Sequence, residues 1–247
     1  MVKETDVVVV GTGAAGLFCA LHFPENTNVL VITKDEADKS DSFLAQGGMC
    51  MLRDEDDFDG FFEDTMKAGH YENNKDSVEV MIRSSRKIAK ELIDYGVDFE
   101  HDGEELVFTR EGGHGRPRIL YHEDITGKEI TSKLLAQVQK LPNVTILENT
   151  EMVDIVEQDN VCYGIVCRVS KEAMPHLITI SAKDTVWACG GIGGLYTHST
   201  NFPHLTGDAL ALSLRHHIEL ENIDYIQIHP TTLYSEKPGR RFLISES

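Results

Sequence analysis

The stretch Val7–Gly16 reads VVVVGTGAAG, and its reading decides the fold. Four consecutive β-branched residues after the polar lead Lys3–Asp6 suit a strand buried on both faces, as in a parallel sheet. A half-exposed strand would alternate apolar and polar residues instead. Glycines 11, 13 and 16 then match GxGxxG. The first permits a tight turn, and the second lets the backbone approach a pyrophosphate. The third lets helix and strand pack closely, with the helix N-terminus facing the negative charge. Alone the pattern is weak, because glycine turns are common. Its weight comes from its place, directly after a buried strand and before Leu17–Phe23, which has helical spacing. Val29–Thr33 is a second apolar strand, completing a β-α-β unit of about thirty residues.

Such a unit usually offers an acid about 20 residues further on for the ribose. Here the second strand ends in Thr33-Lys34, with Asp35 and Glu36 just beyond. Either acid could meet a ribose, or both could be solvated turn residues, and spacing does not choose between them. Lys34–Met51 lacks periodicity and reads as a functional loop. Within it Asp41–Gly48 (DSFLAQGG) joins small residues, an amide and two glycines, so that backbone N–H groups, Ser42 and Gln46 could approach a ligand. A second glycine corner, Trp187-Ala188-Cys189-Gly190-Gly191, follows a later strand.

Working outward, Asp57–Gly69 and Ser77–Tyr95 read as helices. In the latter Val78, Met81, Ile82, Ile88, Leu92 and Ile93 share a face and Gly96 is the stop. Phe99–Thr109 suits a short hairpin around Asp102-Gly103, and Arg110–Arg118 is glycine-rich and irregular. Arg116 and Arg118 are either a solvated loop pair or a lure for an anionic substrate. Thr126–Leu141 reads as a helix ended by Pro142. Val144–Leu147, Val153–Glu157, Val161–Val169, Leu177–Ser181 and Thr185–Trp187 read as strands, with a turn at Asp159-Asn160. Hairpins inserted between Rossmann strands in this way commonly cover one sheet face. Gly207–His217 reads as a helix and Tyr225–Leu233 as a strand or extended segment. The fold class is α/β, Rossmann-like, with inserted β-hairpins.

The 247 residues can bury a sizeable core. A net charge of -18 argues against nucleic acid and against anionic membrane surfaces. Runs such as Val7–Val10 are far too short to span a bilayer, and Met1–Asp6 lacks the features of a signal peptide. The five cysteines are odd in number, without CxxC, so neither a disulfide framework nor a metal site is expected. Ordinary packing in a reducing cytoplasm fits them.

Read in order, GTGAAG (11–16), TK (33–34), SFLAQGG (42–48), ACGG (188–191), TGDAL (206–210) and QIHPTTL (227–233) resemble the succinate dehydrogenase/fumarate reductase flavoprotein superfamily. Within it TREGGH (109–114) resembles the L-aspartate oxidase branch. The resemblance runs from Asp6 to the last residue. It implies a FAD-binding domain over 1–225 and the start of a capping, substrate-covering domain over 226–247. The implied FAD contacts are Gly11, Thr12, Gly13, Ala14, Ala15 and Gly16, then Lys34, which the resemblance favours over Asp35. Asp41, Ser42, Phe43, Leu44, Ala45, Gln46, Gly47 and Gly48 follow, with the backbone near Glu151 and Met152, and Gly190 and Asp208. Cys189 stands where a threonine is usual. Asp41 stands where the membrane-bound members place a flavin-linking histidine, which implies non-covalent FAD.

Glu111 stands where those members carry the Phe of a Phe-Gly-Gly segment. The resemblance assigns it to the substrate's amino group, and a carboxylate does attract an ammonium and repel a plain dicarboxylate. Gln227, His229, Ser245 and Glu246 match substrate-side positions, with His229 suited to a charge-assisted bond to a carboxylate oxygen. The implied reaction is oxidation of L-aspartate to iminosuccinate for NAD biosynthesis, with oxygen or fumarate as electron acceptor. The implied catalytic arginine comes shortly after Ser247, so the resemblance implies a truncated product or one piece of a split protein, completed by a missing C-terminal half or a complementing chain. Two alternatives stand beside it, a soluble fumarate reductase-like flavoprotein and an inactive flavin-binding scaffold.

Overall fold

The computed structural model describes residues 2–170, 174–229, 231–237 and 239–244. In chain order the elements are β1 (Val2–Val10), α1 (Ala14–Ala20), β2 (Val29–Ile32), α2 (Asp41–Leu44), β3 (Met49–Cys50), α3 (Phe58–Ala68) and α4 (Lys75–Asp94). Then come β4 (His101–Asp102), β5 (Glu105–Leu106), β6 (Ile119–Leu120), α5 (Thr126–Val138), β7 (Val144–Leu147), β8 (Thr150–Gln158), β9 (Val161–Val169), β10 (His176–Trp187) and α6 (Asp208–Arg215). By packing the chain divides into two compact units, residues 2–44 with 134–244, and residues 45–133.

The first unit is built on a six-stranded sheet in the order β7-β2-β1-β10-β9-β8. β7, β2, β1 and β10 are parallel, in register through Val7↔Val29, Val10↔Trp187 and Ile32↔Leu147. Val7–Val10 and all of β2 are buried, as an unbroken apolar run in a parallel sheet requires. β8, β9 and β10 form an antiparallel meander. The hairpins therefore extend the sheet at its edge instead of covering a face. Asp159 and Asn160 turn the β8–β9 hairpin with φ of 54° and 61°, values that short polar side chains tolerate. Met152, Ile165, Cys167, Ile178 and Ile180 pack with Val8, Val10, Leu30 and Ile32 in one core.

β10 runs unbroken where the sequence suggested two strands. Its polar middle, Lys183-Asp184, keeps pairing with β1, and Lys183 Nζ reaches Asp6 Oδ1 at 2.6 Å on the exposed surface. Tyr225–Leu233 is not a regular strand. Among its described residues the one bridge is Thr232↔Leu243.

In the second unit α4 starts at Asn74, whose side chain accepts the Ser77 N–H at 3.0 Å. It ends where Gly96 (φ 95°) lets its own N–H reach Ile93 O and lets Val97 N–H reach Leu92 O. Val78, Ile82, Ala89 and Leu92 face the core, but Met81 and Ile93 are exposed, so the buried stripe is narrower than expected. Leu52, Phe61, Met66, Val78 and Ile82 form this unit's core cluster.

Candidate functional site

The first unit holds a cleft of about 330 Å³ at the carboxyl ends of β1 and β2. Gly11, Thr12, Gly13, Ala15, Lys34, Asp41, Ser42, Met152, Gly190 and Asp208 line it. Open α/β sheets place their ligands in this position. Gly11 has φ 117°, and a Cβ there would lie 2.1 Å from Ala188 O. At Gly16 a Cβ would lie 2.1 Å from Gly11 O, so the third glycine seats the helix on the turn. At Gly13 the nearest atom to a Cβ would be Ser42 Oγ, 3.1 Å away. Ser42 Oγ also accepts the Ala14 N–H at 3.1 Å, which joins the two motifs the sequence read separately.

Lys34 lines the cleft and wires it together. Its Nζ bonds Asp208 Oδ2 at 2.5 Å, Thr206 Oγ1 at 2.6 Å and the His204 carbonyl at 3.0 Å, with Glu151 Oε1 at 3.5 Å. Glu151 also pairs with Arg168. Asp41 Oδ1 accepts the Phe202 N–H at 2.9 Å, and burial pushes its carboxyl above the usual range. Phe43 and Leu44 belong to α2 but are not among the residues lining the cleft. Cys189 lines it as a protonated thiol, its pKa pushed up to about 12 by burial and by Asp208. Ser40, Thr150, His204 and Leu205 also line the cleft, and the sequence reading missed all four.

Three buried atoms on the cleft-lining residues, Thr12 Oγ1, Ser40 Oγ and Asp41 Oδ2, have no hydrogen-bond partner among the described residues. Buried polar atoms are costly unless satisfied. A polar ligand in the cleft would satisfy them, and the glycine turn Gly11-Thr12-Gly13 itself lines it. The residues fit the diphosphate and ribose of a dinucleotide.

The second unit carries the other half of the glycine loop. β3 pairs with β6, so a Cβ at Gly48 would lie 2.2 Å from Leu120 O and only glycine fits. Glu111 folds against this corner. Its Oε1 accepts the Gly48 N–H at 3.3 Å, and its carboxylate faces Gly47. His114 Nε2 lies 3.4 Å from Cys50 Sγ, and burial and Glu111 raise that thiol's pKa. Ala45 O accepts the Gly127 N–H at 2.9 Å, and Gln46 Oε1 is a further buried atom without a partner among the described residues.

Arg118 is neither a solvated loop residue nor a lure for substrate. It is 1% exposed and donates to both oxygens of Asp57 at 2.7 Å and to Asp64 Oδ2 at 2.6 Å. Arg116 is half-exposed and pairs with Asp57 at 3.4 Å and Asp54 at 3.6 Å.

In the first unit Gln227 is exposed, and His229 Nδ1 accepts the Thr231 N–H at 3.2 Å. Ser245 and Glu246 lie outside the described residues.

Parallel strands with a glycine corner and a cleft at their carboxyl ends define a dinucleotide-binding fold. The chain belongs to the FAD binding domain family, whose pattern it matches over residues 6–247. It is 44% identical to an L-aspartate oxidase of Clostridium perfringens over all of its own length and 56% of the relative's. It is 40% identical to the L-aspartate oxidase of Clostridium acetobutylicum, over 99% of this chain and 56% of that one. The chain thus spans about half the length of these curated relatives. Among solved structures, E. coli quinol fumarate reductase aligns at TM-score 0.83 with 26% identity, over 87% of this chain and 37% of that one. An open flavocytochrome c3 fumarate reductase aligns at TM-score 0.83 with 25% identity, over 99% and 45%. No helix among the described residues is long and apolar enough to cross a membrane.

Proposed function

We propose that the protein oxidises L-aspartate to iminosuccinate with non-covalent FAD, the first step of NAD biosynthesis, passing electrons to oxygen or fumarate. The observation that carries this reading is Glu111, a carboxylate held by the Gly48 N–H at the glycine loop. The relatives named as L-aspartate oxidases support it. FAD, which Gly11–Gly16, Lys34, Asp41–Gly48 and Asp208 would hold, would supply the two-electron redox chemistry when bound. The chain's own residues bind and orient. Glu111 holds the substrate ammonium by charge, Gln227, Ser245 and Glu246 stand at substrate-side positions, and His229 takes a carboxylate oxygen. Asp41, in place of a histidine, offers no ring nitrogen for a flavin link.

Residues 226–247 begin a substrate-covering domain on this reading. A complementary half, in the same or another chain, covers the apolar side chains that Tyr225, Ile228, Leu233 and Phe242 expose. The free cysteines suit a reducing cytoplasm. The fold shared with fumarate reductases supports a second reading, reduction of fumarate. Glu111 separates the two, because an acid opposite a substrate without an ammonium only repels it.

Turnover of aspartate and of fumarate by FAD-loaded wild type and Glu111→Gln tests the proposal. Glu111→Gln should lower kcat/KM for aspartate by about 100-fold, the worth of a charged hydrogen bond of about 3 kcal/mol. Normal aspartate turnover by this variant removes Glu111 from the site. Flavin binding with no oxidation of aspartate by wild type joined to its complementary half overturns the activity and leaves a flavin-binding scaffold.

A further inference from the structure

The loop that carries Glu111 has little of its own to fix its course. Gly112, Gly113 (φ 85°) and Gly115 give it wide backbone freedom, and nothing lies within 4 Å of where a Cβ would stand at the first two. Its two ends at Thr109 and Ile119 are paired by backbone hydrogen bonds of 3.0 and 3.1 Å. Between them Met51 N–H reaches the Arg118 carbonyl at 2.8 Å and His114 Nε2 lies 3.4 Å from Cys50 Sγ, while the glycine segment itself is tethered by Asp64. Asp64 Oδ2 accepts the Gly115 N–H at 2.7 Å, and the same oxygen accepts Arg118 Nη1 at 2.6 Å. Arg118 is in turn locked by both oxygens of Asp57, whose side chain is 0% exposed. The loop's glycine amide thus hangs on a buried ion cluster at a fixed point of α3.

We propose that Asp64 is a positioning residue for the reaction, holding the Gly115 amide so that the Glu111 carboxylate stays against the Gly48 N–H. This rests on the reading of Glu111 as the ammonium-binding group. Asp64 does not touch substrate and acts through the loop. Without its oxygen the glycine-rich segment samples many courses, and Glu111 leaves the glycine corner. The conservative replacement Asp64→Asn keeps a carbonyl oxygen with two lone pairs, able to accept both donors.

The test is the amide proton shift of Gly48 in ¹⁵N-labelled, FAD-loaded protein at constant pH, with Glu111→Ala as the reference that lacks the acceptor. The wild type should stand downfield of Glu111→Ala. Asp64→Ala should give the Glu111→Ala position and Asp64→Asn the wild-type one. Should Asp64→Ala fail to fold, Gly115→Pro removes the donor, leaves the Arg118–Asp57 clamp, and should also give the Glu111→Ala position. A Gly48 shift that stays at its wild-type value in Asp64→Ala or Gly115→Pro overturns the proposal, as does one that stays there in Glu111→Ala. The substrate reading is separated by aspartate affinity, measured from the flavin absorbance change. If Glu111→Gln binds aspartate normally while Asp64→Ala loses the downfield shift of Gly48, the positioning stands and the ammonium role of Glu111 falls.

Discussion

Replacing Arg118 with methionine should destabilise the protein by about 2–4 kcal/mol. The magnitude follows from what is left behind. The change removes two 2.7 Å bonds from Asp57, whose side chain has no exposure, and one from Asp64. Breaking one side of a buried ion pair costs about 3–5 kcal/mol, because the remaining charge stays buried and uncompensated. Part is recovered here. Arg116 stays 3.4 Å from Asp57 but is half-exposed, so its help is worth at most about 1 kcal/mol. Asp64 keeps the Gly115 N–H. The assay is urea unfolding followed by far-UV circular dichroism. Fluorescence is unsuitable, since the single tryptophan, Trp187, lies in β10 of the other unit. The double variant Arg118→Met/Asp57→Leu should recover most of the loss, since apolar groups then replace both charges. A loss below about 1 kcal/mol for the single variant, within the range of exposed pairs, would refute the buried-cluster reasoning.

Two further outcomes concern the first unit. The hydrogen bond from His216 holds the Asp154 carboxyl below the usual range. Its stabilisation is therefore complete above the ordinary carboxylate pKa of about 4 and is lost as pH falls through the depressed folded value. Asp154→Asn should lower stability at neutral pH by less than about 1 kcal/mol, since Asp154 is partly exposed, and the difference from wild type should vanish in acid; unfolding midpoints across pH check it, and a gap that widens in acid would contradict it. Cys167 and Cys189, both pushed up to about 12 by burial, should resist alkylation of the folded protein near neutral pH and react on unfolding, as read by mass spectrometry.

The parallel core was legible because burial on both faces leaves its mark in consecutive residues. Val7–Val10 and Val29–Ile32 needed no long-range information, and neither did the glycine turn between β1 and α1. The helix stop at Gly96 and the turn at Asp159-Asn160 were legible for the same local reason. Arg118 was not, since its partners lie 61 and 54 residues away and a lone arginine in a glycine-rich loop reads as solvated. The far wall of the cleft was hidden similarly. Thr206 meets Lys34 across 172 positions and Phe202 meets Asp41 across 161, and neither residue type carries a signal of its own. Strand β10 was misread as two because Lys183 and Asp184 interrupt its apolar pattern, yet backbone pairing to β1 does not depend on side-chain polarity. Asp208 was reached only through the resemblance, and its geometry shows why a lysine and an acid belong together there.

The central claim is that the first glycine corner holds the diphosphate of FAD, and Gly13→Asp tests it most directly. Gly13 caps α1 in extended backbone (φ -70°, ψ 175°) without a side-chain bond, a position that favours aspartate, and the one tight neighbour of a Cβ, Ser42 Oγ at 3.1 Å, ends a side chain that can turn aside, so the fold should be retained. A carboxylate about 4 Å from a phosphate costs about 4 kcal/mol at an effective dielectric of 20. FAD titration followed by flavin fluorescence should then show affinity reduced by at least about 100-fold, with the unfolding midpoint of the flavin-free protein unchanged or raised. A Gly13→Asp protein that binds FAD as tightly as wild type would place the diphosphate elsewhere and contradict the account.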